Sequence, residues 1–217
     1  QVTWGTPTLV TINLALVFEF GARTRFFLLG TLSAVLPKPD LDLVRLQMNV
    51  AGGIDFDQQR AFLDAALYDS RLLNKFVITG EMRMRMSWGD RPFLALAVGG
   101  LHPAFTPPPG LEQMQRTAIV FADADDLKIR CEAYFALTSN TVQFGARVDL
   151  FARASKFSVI GQAGFDVLVQ FNPFSFIASL YASLQLKCGS RNLFKLKFAG
   201  ELSGPRPLHA RGKATFE

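Results

Sequence analysis

Along most of this chain, apolar and polar residues alternate with a period of two. Ile12, Leu14, Leu16, Phe18 and Phe20 alternate with Asn13, Ala15, Val17 and Glu19. Phe76, Ile78, Gly80, Met82, Met84, Met86 and Trp88 alternate with Lys75, Val77, Thr79, Glu81, Arg83, Arg85 and Ser87. The pattern returns at Leu127–Leu137, Val142–Leu150, Phe157–Phe165 and Phe174–Lys187. Successive side chains of a strand point to opposite faces, so this rhythm predicts strands with one apolar and one polar face. A helix needs apolar residues three and four apart. That spacing competes only at Ala61–Leu67, where Phe62 with Ala66 and Leu63 with Leu67 stand at i,i+4; a strand is the expectation there. One short helix is expected around Leu111–Arg116.

Turn residues punctuate the strands. They are Gly21–Thr24, Pro37-Lys38-Pro39, Gly89–Pro92, Ser139-Asn140, Asn172-Pro173 and Gly204–Pro207. Gly52-Gly53 predicts a break or bulge, and Gly161–Gly164 a bulge or close packing. Residues 99–126 form the main loop interruption. Roughly a dozen strands joined by short turns make an antiparallel, meandering all-β chain. It forms a single β-rich domain over residues 1–217, or a segment excised from a larger chain; Gln1, with strand patterning close behind it, reads as a cut.

Such a sheet is about 55 Å wide, and its apolar face exceeds roughly 1,000 Å². Exposing that face costs tens of kcal/mol, at about 25 cal/mol per Å². The sheet is therefore expected to curve and close as a sandwich or barrel-like shell, or to stay an open apolar trough. Phe18, Phe20, Met82, Met84, Met86, Phe135, Phe144, Phe165, Phe176, Leu180 and Leu184 are the expected interior or ligand-facing residues. The chain has 21 Phe but 3 Tyr and 2 Trp, a dry composition that suits a packed core or lipid acyl chains. It suits the aromatic girdles of an outer-membrane-type barrel poorly.

The net charge of +5 comes from dispersed basic residues, as in Lys195-Leu196-Lys197-Phe198, which read as a solvated sheet face. No basic stripe points to nucleic acid. His102 and His209 sit in turns near prolines, and Asp123, Asp125 and Asp126 lack the remaining ligands of a calcium loop. Tyr68, Asp69 and Arg71 make a polar structural knot at a strand end. Cys131 and Cys188 lie in strand patterns and are expected as buried free thiols. No nucleophile, phosphate-loop or dinucleotide motif occurs, so neither catalysis nor a cofactor or metal is expected.

Four segments carry a resemblance: Leu67-Tyr68-Asp69-Ser70-Arg71, the run from Tyr134 to Gly145, Val169–Phe176 and Gly204-Pro205-Arg206-Pro207. Together they resemble a domain of unknown function in very large, β-rich bacterial proteins, over most of the chain from Leu41. One departure is Leu208-His209, where such proteins carry Trp-His. The resemblance implies a segment of a giant non-enzymatic β-scaffold; the residues leave its compartment open among the bacterial cell envelope, a secreted assembly and the cytoplasm. The expected function is a structural or assembly module, with flanking segments or copies of itself as partners. The alternatives are a lipid-binding or lipid-conducting β-groove and an outer-membrane-type barrel.

Overall fold

Alternating residues become strands throughout, because a pleated backbone resolves each alternation into two faces. The computed structural model describes residues 1–6, 8–38 and 41–217, with side chains left aside at 38, 41 and 42. Its elements are fifteen strands: β1 Val2–Trp4, β2 Val10–Glu19, β3 Arg25–Lys38, β4 Leu41–Asp55, β5 Arg60–Leu72, β6 Phe76–Thr79, β7 Glu81–Ser87, β8 Phe93–Val98, β9 Thr117–Asp123, β10 Leu127–Thr138, β11 Thr141–Ala154, β12 Phe157–Gln170, β13 Ser175–Cys188, β14 Arg191–Gly204 and β15 His209–Phe216. No helix occurs among the described residues. The all-β, antiparallel, meandering expectation is met.

The chain divides into two units. The first comprises Gln1–Gly100, Pro107–Thr117 and Leu137–Ser139; the second comprises Leu101–Thr106, Ala118–Ala136 and Asn140–Glu217. In the first, β1 to β5 pair in sequence order, β5 continues onto β6 and β7, and β7 pairs with β8. In the second, β9 to β15 follow one another.

Several local expectations are corrected. Leu111–Arg116 forms turns rather than a helix: Gln113 takes a left-handed φ of 52° and Leu111 is buried to 2% exposure. Gly52-Gly53 neither breaks nor bulges β4, which stays in register with β3 and β5 there. A Cβ at Gly53 would fall 2.7 Å from the Phe62 ring and 2.9 Å from the Phe27 ring, so this glycine makes room for two aromatics. Gly161–Gly164 carries no bulge, and of the two glycines only Gly164 is close packing, beneath the Tyr181 ring. The run from Phe76 to Trp88 is two strands divided at Gly80, whose φ is +151°. The interruption at 99–126 contains β9. Pro37 and Lys38 belong to β3; Pro39 of that expected stop lies outside the described residues.

The Tyr68–Arg71 knot is a bulge of β5. Pairing with β4 slips between Arg45 and Gln47, and Asp69 takes φ 40°. The slip disturbs the ladder, and the fully buried Ser70 hydroxyl repairs it. It accepts from the Gln47 N–H at 2.8 Å, and the carbonyls of Gln47 and Tyr68 lie 3.0 Å away to take its proton. Tyr68, Asp69 and Arg71 are exposed, with Arg71 and Asp69 paired at 3.4 Å.

Two predictions follow from these buried contacts. Ser70→Ala leaves the Gln47 N–H unsatisfied and should cost about 1–3 kcal/mol in urea denaturation. Leu111→Ala should cost about 2–5 kcal/mol by the same measurement. An unchanged midpoint in either variant contradicts the role described for that residue.

Candidate functional site

The faces of each unit are set by register. In the first unit Phe18, Phe26, Ile54, Ala61, Met86 and Leu94 form one cross-strand row, and Leu16, Leu28, Gly52, Leu63, Met84 and Leu96 form the next. In the second, Phe144, Val167, Ala178, Leu202 and Ala210 line up across β11 to β15. So do Val148, Ala163, Ala182, Phe198 and Ala214, and so do Leu150, Gly161, Leu184, Leu196 and Phe216. No polar side chain interrupts these rows.

Of the eleven residues expected inside, register places nine on these apolar faces; Phe20 lies just beyond β2 with its ring 6.1 Å from that of Phe18, and Phe135 alternates along β10 with the buried Tyr134 and Ala136, and none of the eleven is buried. Phe18, Phe20, Met86, Phe135, Phe144, Phe165, Leu180 and Leu184 are exposed, while Met82, Met84 and Phe176 are half-buried. Phe20 is 78% exposed and Leu180 56%. On the apolar face of the first unit only small residues such as Ala34, Ala61 and Ala65 are buried, and the most deeply covered positions lie on the opposite, polar faces. Ala95 and Ala97 of the first unit stand across from Arg85 and Arg83 and are 1% and 0% exposed.

The cause is side-chain chemistry on the loops. Arg83 donates to the carbonyls of Gly110 and Glu112, each at 3.3 Å, and Arg85 to the Gly110 carbonyl at 3.1 Å. Arg85 also pairs with Asp64, and Arg83 pairs with Glu81 at 2.9 Å. These arginines hold the turn that carries Leu111 on the polar face. In the second unit the His102 N–H donates to the fully buried Gln143 at 2.8 Å, whose amide donates to Thr141 at 2.9 Å. His102 Nδ1 accepts from the Ala104 N–H at 3.1 Å, so the Gly-Leu-His-Pro turn is structural. His209 is exposed on β15.

The polar face of the second unit is cross-linked over β10 to β12. Glu132 pairs with Arg130 at 2.8 Å and Arg147 at 3.3 Å, and Arg147 pairs with Asp149 at 2.9 Å. Two tyrosines lie over glycines. Tyr134 crosses Gly145 to donate to Asp166 at 2.8 Å, and a Cβ at Gly164 would meet the Tyr181 hydroxyl at 2.5 Å.

Among the hollows on these surfaces, three bear on function. On the apolar face of the second unit a depression of about 320 Å³ opens above Gly161, lined by Val148, Leu150, Leu184, Leu196 and Phe198. On its polar face one of about 540 Å³ lies among Tyr181, Ser183, Lys197, Lys213 and Thr215. In the first unit one of about 610 Å³ is lined by Arg25, Asp55, Asp64, Arg85, Phe27 and Phe62. There the Gln58 N–H donates to Asp55 at 2.8 Å and Arg25 pairs with it at 2.8 Å. Both contacts, the backbone donor first, hold the Asp55 carboxyl below its usual range. A carboxylate held ionised is a poor proton donor near neutral pH.

From the sequence Ser70 is only one residue of a polar segment, Gly161 only part of a glycine pair, and the Lys197–Lys213 pairing is missed, because each draws its meaning from a neighbouring strand. Among the described residues no three His, Cys, Asp or Glu side chains stand close enough to hold a metal. Arg153 donates to the Asp125 and Asp126 carbonyls, at 3.3 and 2.7 Å, so this acidic turn is held by its backbone. Cys131 and Cys188 are free thiols, half-buried rather than buried.

Two measurements check this geometry. A Cβ at Gly161 would make only ordinary contacts, 3.5 Å or longer, whereas at Gly164 it would lie 2.7 Å from the Ala146 carbonyl. Gly161→Ala should therefore melt at or slightly above the parent temperature, and Gly164→Ala should lose about 1–3 kcal/mol. Asp55 should titrate below about 3.9, its ordinary value, when followed by NMR. Because its folded pKa is lowered, the stability it lends is complete above the unfolded value and is lost as pH falls through the folded one. Arg25→Ala should move that titration upward.

The chain belongs to a family of unknown function (DUF6603), with the match running over residues 1–217. No curated protein and no solved structure matches it.

Proposed function

On the premise of that membership, we propose that the chain is a non-catalytic structural module whose apolar face in the second unit is covered by a further β-layer. A second copy supplies that layer when the chain is alone, and flanking segments supply it within a longer protein. One observation supports this reading above others: apolar rows cross β11 to β15 without a polar interruption while their large side chains stand open to solvent. Five strands by six rows span about 1,000 Å². That exceeds the roughly 300–600 Å² patch of an ordinary monomer, and it reaches the approximately 800 Å² that each partner contributes to a standard interface. At about 25 cal/mol per Å², covering it is worth on the order of 25 kcal/mol before the costs of association. The place of the module within a very large bacterial β-scaffold rests on the four segments from Leu67 to Pro207 described above.

A second reading, a groove for lipid acyl chains, is favoured by the depression above Gly161, whose walls are hydrocarbon. The two readings separate experimentally. Light scattering after size exclusion should show a dimer or larger species, and Leu184→Lys with Phe198→Lys should return it to a monomer that melts like the parent. A parent chain that is monomeric at tens of micromolar contradicts the assembly reading. Acyl chains released in native mass spectrometry of detergent-free protein would favour the groove, and Gly161→Val should then reduce their occupancy.

A further inference from the structure

The net charge is not spread evenly. The whole chain carries 23 basic and 18 acidic residues, and the stretch after Leu186 holds seven basic residues against Glu201 and Glu217. Residues 1–186 thus have sixteen of each sign, and the +5 belongs to the end of β13, to β14, to β15 and to their turns. Lys197 stands opposite Thr215, and Lys213 stands opposite Ala199, so the two lysines are diagonal neighbours on the polar face of one hairpin. Diagonal side chains on one face are close enough to share a ligand.

These lysines face the depression of about 540 Å³. Among the described residues neither forms an ion pair, and the hydroxyls of Ser183 and Thr215 beside them make no hydrogen bond there. Tyr181 lies low over Gly164 at the same place. The acids around the hollow are mostly engaged. Glu217 pairs with Lys195 at 3.3 Å, and Asp149, at the far end of the Lys197 row, is held by Arg147 and Gln162, each at 2.9 Å. Glu201 stands in the next row opposite Arg211.

We propose that Lys197 and Lys213, with the Ser183 and Thr215 hydroxyls, form a binding site for a phosphate monoester group on the polar face of the second unit. Two ammonium groups match a group carrying close to two negative charges at neutral pH, and two hydroxyls serve its remaining oxygens. The same group occurs as free phosphate and as the exposed headgroup of a phosphatidic acid membrane. The site does not depend on how the opposite, apolar face is covered.

The test uses the full chain at low salt, since screening weakens exposed charges. Inorganic phosphate is titrated by calorimetry, and vesicles of phosphatidylcholine with and without phosphatidic acid are cosedimented with the protein. The parent should bind in at least one arm. Phosphate binding identifies the free anion as sufficient; binding only to vesicles containing phosphatidic acid identifies the lipid headgroup. In the arm that binds, Lys197→Ala with Lys213→Ala should weaken affinity at least tenfold, and Lys197→Arg with Lys213→Arg should retain it. Lys75→Ala with Lys156→Ala, which removes the same charge elsewhere, should change affinity less than twofold. Both site lysines are exposed, so melting should be unaffected. Absence of binding in both arms of the parent chain overturns the proposal. So does an alanine pair at the site that binds like the parent, or a control pair that loses as much.

Discussion

Everything in this molecule depends on the antiparallel ladder keeping its register over long distances. β12 pairs residue for residue with β11 and with β13 over its whole length. A slip of one residue exchanges the two faces of the strand that moves: in β11 it would turn Phe144 to the polar side and Asp149 to the apolar one, and in β12 it would do the same to Phe165 and Gln162. Register therefore decides not only which strands touch but the chemistry of both surfaces. The slips in β3–β4, in β4–β5 and in β13–β14 are local, and the one in β4–β5 is sealed by a serine hydroxyl in place of a backbone partner.

The faces themselves were legible from the residues; their covering was not. Met82, Met84 and Met86 announced a shared side, and they have one. Period two says nothing about which side a loop will lie on. That choice is made by Arg83 and Arg85 holding the Gly110–Glu112 turn, and by Gln143 holding the His102 turn. Loops carry backbone donors and acceptors, so they settle where partners for those groups stand. Hence the small, dry positions Ala95 and Ala97 lie beneath polar neighbours while phenylalanines remain open.

The misread elements have the same origin. The segment from Thr117 to Asp123 hid as a strand because prolines and glycines crowd the chain before it and acids follow it. Leu111–Arg116 suggested a helix from composition, yet turns suit it better, since they bury Leu111 and leave its neighbours outside. Gly52-Gly53 looked like punctuation; in the sheet Gly53 is the floor beneath two rings from adjacent strands. The same limit applies to the candidate sites. Lys197 reads alone as a solvated charge, and only the β14–β15 hairpin sets it diagonal to Lys213.

The pairing in the second unit also bears on how the chain reaches its native state. From β11 to β15 every strand bonds to the strand before it and the one after it, with no crossover. Such a ribbon resembles a stack of repeats, in which each hairpin adds its own increment and its own junction. Closure distances stay short because partners are close in sequence, which lowers the entropic barrier usual for β-proteins. The outermost strand can therefore fray without unzipping its inner neighbours, so protection against amide exchange should fall off stepwise toward β15.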